Sequence, residues 1–144
     1  MSSWRHNVVD PENWYFHFGP VADFVADAAF DREAFVAARG GADAPDHDLV
    51  THQLVGDRTF LDWVRNEAHE YYTPDGAVIE GATLAVPALA PGSWKGHWRH
   101  TTLRSESGLL GQLDLEVTGE GELPPLPVPP FARDDALRLV RTGP

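Results

Sequence analysis

Two histidines, one glutamate and a pair of tryptophans offer the chemistry in this chain. His100 closes the run Trp94-Lys95-Gly96-His97-Trp98-Arg99-His100, where alternation along a strand puts Trp94, Gly96, Trp98 and His100 on one face. An imidazole on an apolar face can serve a pocket as acid and base. The plain structural alternative is a core histidine whose nitrogens are satisfied by a carbonyl or by the hydroxyl of Thr102. Gly96, between two tryptophans, leaves room for a flat ligand on this reading.

His52 repeats the pattern on the segment Leu49–Val55, and Glu80 is the only charge within Ala77–Val86. A carboxylate beside an imidazole fixes one tautomer and raises basicity, so His52 and Glu80 are the expected helpers of His100. Trp94, Trp98 and Tyr71 are the expected walls, and Arg104 the group that orients an oxygen anion. Asp46-His47-Asp48 with His52, or His97 with His100, also supplies metal-type donors. His97 and His100 project to opposite strand faces, however, and the first group matches no helical ligand motif. No metal and no other cofactor is expected.

Those residues need elements to hold them. The spacing of Val21, Phe24, Val25 and Ala28 predicts a helix over 21–39 in two pieces, with Asp31 capping the second and Phe30 and Phe35 as its staple. A strand is expected over Leu49–Val55. Asp57 then caps a helix over 58–72, with Phe60, Leu61, Val64, Ala68 and Tyr71 as its apolar stripe and Asp62, Arg65 and His69 opposite. Period-two patterning follows: a strand over Ala77–Val86, then Ser93–Arg104 and Leu109–Thr118 as an antiparallel hairpin around Ser105–Gly108. With Arg104 opposite Leu109, Arg99 faces Asp114, His97 faces Glu116, and His100 lies opposite Leu113. Residues 123–131 are proline-rich and extended, and 132–144 form a short helix, from Asp134 through Val140, or a tail.

The order of elements implies a single α+β domain over 1–144. Its N-terminal helices cover one face of a curved, mainly antiparallel sheet, cone-like or a partial barrel. At 144 residues the chain is of ordinary single-domain size. With no cysteine it has no disulfide, thiolate nucleophile or Fe–S cluster, and a cytoplasmic home is expected. Acidic residues outnumber basic ones 22 to 11, which disfavours nucleic acid and anionic membranes as partners. Seven histidines and five tryptophans favour a small-molecule site.

The expected function is a small cofactor-independent enzyme of cyclase, isomerase or dehydratase type, moving a proton on an apolar or aromatic small molecule. Two alternatives stand beside it. One is a non-catalytic small-molecule-binding protein. The other is an acidic inhibitor that engages a basic partner through Asp23, Asp27 and Asp31. A homodimer is compatible with each.

Overall fold

The computed structural model describes residues 18–26, 28, 30–69, 76–101, 108–119 and 123–143. They form a mostly β structure with one short helix, α1 (Phe18–Val25). The strands in chain order are β1 (Val36–Ala38), β2 (Gly41–Asp43), β3 (Leu49–Val55), β4 (Thr59–Asn66), β5 (Thr83–Ala85), β6 (Gly92–His100), β7 (Leu109–Val117), β8 (Leu126–Pro127) and β9 (Asp134–Arg141). A six-stranded antiparallel sheet runs β1-β3-β4-β9-β6-β7, and a smaller antiparallel sheet runs β2-β5-β8. The expected α+β arrangement, with several N-terminal helices on a cone-like sheet, is therefore incorrect.

The reasons lie in particular segments. Residues 58–66 were expected to be helical, yet they make β4, hydrogen-bonded between β3 and β9. Phe60 and Val64 face the core, while Leu61 lies buried on the opposite face. Burial on both faces erases the alternation that would have announced a strand. Thr59, Phe60, Trp63 and Val64 also fit a pleated surface better than a helix. The turn before β4 is tight, with Gly56 N donating to the Thr59 carbonyl at 2.7 Å. Glu33 locks it, its carboxylate accepting from Arg58 N (2.8 Å), Thr59 N (3.1 Å) and Thr59 Oγ1 (2.7 Å).

Of the helix expected over 21–39 only α1 forms, with Pro20 in its first turn, where a missing N–H costs nothing. Phe30 and Phe35 do touch, at a ring separation of 4.8 Å, but no second helix follows, and Val36–Ala38 is strand β1. The C-terminal segment is neither helix nor tail. It is β9, inserted between β4 and β6 at the centre of the large sheet. The interior strand expected over 77–86 shrinks to β5, preceded by a single bridge between Ile79 and Phe131.

The β6–β7 hairpin forms in a different register. Lys95 faces Asp114, His97 faces Gln112 and Ser93 faces Glu116, with a bulge between Trp98 and Arg99. The connection between the strands is longer than four residues, because β6 ends at His100. The slip relative to expectation is an even number of residues, so each side chain keeps its face. Leu113 stands opposite Gly96, and His100 pairs instead with Asp135 of β9.

One face of the large sheet, carrying Phe60, Val64, Trp94, Trp98, Leu137 and Leu139, packs with Leu84, Leu126, Val128, Ile79 and Phe131 into a single core. Gln53 ties the two sheets together by donating from Nε2 to the Ala85 carbonyl at 3.0 Å. The opposite face receives α1. There the buried Arg138 donates from its guanidinium to the Phe24 carbonyl at 3.1 Å, supplying a partner for an orphan carbonyl in the helix's last turn.

Candidate functional site

Between α1 and the outer face of the large sheet lies a cavity of about 790 Å³. Its roof comes from Pro20, Val21, Phe24 and Val25 of the helix, with Phe30 beyond it. Its floor can be followed across the strands. His52 of β3 pairs with Trp63 of β4, Trp63 with Ala136 of β9, and Ala136 with Arg99 of β6, which makes one continuous rung. Leu54 and Leu61 form part of the adjacent rung. Small Ala136, itself 6% exposed, sits between two large side chains and borders the cavity.

Trp63 is 40% exposed, although it lies on a strand in the middle of the sheet. Its indole Nε1 donates to Asp134 Oδ2 at 3.0 Å, and Asp134 Oδ1 in turn accepts from the Thr101 hydroxyl. The His52 ring stacks alongside the indole, with centroids 5.3 Å apart and planes 25° from parallel. The cavity is mainly apolar, with Arg99, Thr101 and Asp134 as a polar group at its margin, while Thr51, His52, Gln53, Asp62 and His100 also border it. That combination suits an uncharged or weakly polar small molecule.

The opposite, core-facing side of the same strands holds an unexpected pair. Asp62 and Asp135 are 1% and 0% exposed, and among the described residues neither carboxylate accepts a well-formed hydrogen bond, the Gln53 amide standing closest to that role at Asp62. Asp62 faces Leu137 and Asp135 faces Val64, so the two acids are diagonal neighbours on one sheet face. Burial pushes the Asp62 carboxyl up to about 7, with the Gln53 amide pulling the other way. Burial, reinforced by the charge of Asp134, pushes Asp135 up to about 8. Both acids hold their protons through the acid range, and Asp62 releases its own around neutrality, before Asp135. On the outer face His97 moves the opposite way: burial, then the cations Arg138, Arg99 and Lys95, hold its imidazole below the usual range.

The expected site residues separate. Trp94 and Trp98 are core residues, 1% and 3% exposed, and Trp94 Nε1 donates to the Ala90 carbonyl at 2.9 Å. Neither borders the cavity. The room expected above Gly96 is filled: a Cβ there would stand 2.5 Å from Leu139 Cδ2 and 2.8 Å from Leu113 Cγ. His100 keeps the expected core-side face, half-buried opposite Asp135, and it also borders the cavity at the end of β6.

His52 borders the same cavity but is exposed on the outer face, so alternation points its ring away from that of His100. Glu80 is exposed next to the Ile79–Phe131 bridge and does not border the cavity. Tyr71 and Arg104 lie outside the described residues, as do Thr102 and Asp27. Asp46-His47-Asp48 is a tight exposed turn, with Asp46 at φ 60° and Ala44 bridged to His47.

Trp63, Asp134 and Thr101 were missed as site residues. The only sequence signal for them was a tryptophan on the wrong side of an assumed helical stripe. Among the described residues no helix is long and apolar enough to cross a membrane. No protein-family model, curated protein or solved structure matches this chain.

Proposed function

We propose that this protein binds a small, largely apolar molecule between α1 and the outer face of the large sheet. The observation that carries the reading is the cavity itself. Its volume, about 790 Å³, falls in the range of small-molecule sites, and its walls are mainly apolar with polar groups among them. Val21 and Phe30 on its rim are 56% and 50% exposed, and a ligand lodged there would take that apolar surface out of water.

The test uses the uncharged dye N-phenyl-1-naphthylamine as a reporter. Native protein should bind it saturably at a single site, and Ala136→Phe, which fills the floor beside Trp63, should abolish that binding while the far-UV circular dichroism stays unchanged. No saturable binding, or equal binding by Ala136→Phe, would refute the proposal.

A second reading is catalytic. His52 borders the cavity from the outer face and His100 from the end of β6, and an imidazole at either place favours proton transfer on the bound molecule, as in an isomerase or lyase. Under it, His52→Gln or His100→Gln should stop deuterium uptake from D2O by an enolisable aryl ketone while leaving its affinity intact. An unchanged exchange rate in both variants would leave binding as the whole function.

A further inference from the structure

Trp63 presents its ring to the cavity in an unusual way. Its single hydrogen-bond donor is already engaged by Asp134, and Asp134 is held in turn by Thr101. The indole therefore offers an incoming molecule only ring surface, in a fixed orientation. One flank of that ring is taken by His52, stacked at 5.3 Å. On the other flank stands Ala136, the smallest side chain in its rung, with Arg99 beyond it, roughly 10 Å from Trp63 by two strand spacings. Phe24 and Val25 of α1 border the same space. What remains is a slot with one rigid aromatic wall, an apolar roof and a floor without bulk.

We infer that the ligand is a planar aromatic molecule of about two fused rings, seated over Ala136 against Trp63, with Asp134 and Thr101 setting specificity by holding the indole in place. This deepens the binding proposal above and rests on it. Flat apolar molecules gain from offset stacking on a fixed indole beyond what area burial supplies, whereas a flexible alkyl chain gains only from burial. An indole that rotated freely would lose part of that advantage to the cost of ordering it. Asp134 and Thr101 are positioning residues in this scheme, since they act through the ring.

Two probes of different shape separate the inference from its parent. Affinities for 1-naphthol and for decanoate are measured by calorimetry on the native chain and on Trp63→Leu, Trp63→Phe and Thr101→Val. Native protein should prefer 1-naphthol. Trp63→Leu should weaken 1-naphthol roughly tenfold and decanoate less than about threefold. Trp63→Phe should restore most of the naphthol affinity. Thr101→Val, which exchanges the hydroxyl for a methyl group of similar size, should weaken 1-naphthol and spare decanoate. Decanoate binding with no binding of 1-naphthol would overturn the aromatic inference and leave the cavity proposal standing. An equal loss of both probes in Trp63→Leu would overturn it as well. Failure of both probes with the native chain would remove both proposals.

Discussion

Raising the pH should destabilise this protein steeply, and two aspartates should account for the slope. Asp62 and Asp135 keep their protons in the folded state up to about 7 and about 8, against an ordinary value of 3.8. Once unfolded, both carboxyls ionise above that ordinary value. Between the two limits the folded chain binds more protons than the unfolded one, so stability must fall as pH rises. The contribution of each acid is fully present below its unfolded pKa and is lost as pH climbs through its folded pKa. Each acid contributes a slope of up to about 1.4 kcal/mol per pH unit. From about pH 5 to about pH 7 the pair together can remove on the order of 5 kcal/mol, a large share of the stability of an ordinary domain.

Urea unfolding at a series of pH values reads this directly. Asp62→Asn and Asp135→Asn should each flatten the curve, and above about pH 8 each variant should be more stable than the native chain. Stability that stays level or rises across this range, or variants that keep the native slope, would refute the reasoning.

Two further expectations concern packing and the turn. Gly96→Ala places a methyl 2.5 Å from Leu139 Cδ2, and because Leu139 is fully buried the core cannot yield freely; thermal unfolding should show a loss of about 1–3 kcal/mol. Glu33→Ala strips the β3–β4 turn of three hydrogen bonds and leaves the buried Thr59 amide and hydroxyl without their acceptor; a destabilisation of about 1–3 kcal/mol by urea titration is expected, with earlier amide exchange at Arg58 and Thr59.

The sequence was legible where one face of a strand is wet. The bounds of β3, 49–55, were legible, although its faces are reversed, with Gln53 buried and His52 exposed; the faces of β6 and β7 follow from Leu113, Leu115 and Val117 against Gln112, Asp114 and Glu116. It was misleading where polar side chains are buried. Asp62 reads as the wet side of a helix, and Asp135 and Arg138 fall within the short helix expected from Asp134 through Val140, yet all three are inside. A buried acid that stays protonated carries the same letter as a solvated one, so hydrophobic patterning assigns it to water. That single confusion concealed β4 and β9, the two central strands.

The cavity was hidden for a different reason. Trp63, Thr101 and Asp134 are far apart in the chain and meet only because β9 inserts between β4 and β6. No local pattern encodes that insertion. The tryptophans that looked most like a pocket, Trp94 and Trp98, alternate along one strand, as core residues do.

The five tryptophans give the most direct reading of where a ligand sits. Each indole N–H gives its own resonance in a 15N-correlated NMR spectrum, so 1-naphthol can be titrated while all of them are watched. The Trp63 signal should move saturably, and those of Trp94 and Trp98, enclosed in the core, should stay in place. Movement of Trp94 or Trp98 with a stationary Trp63 would contradict the account.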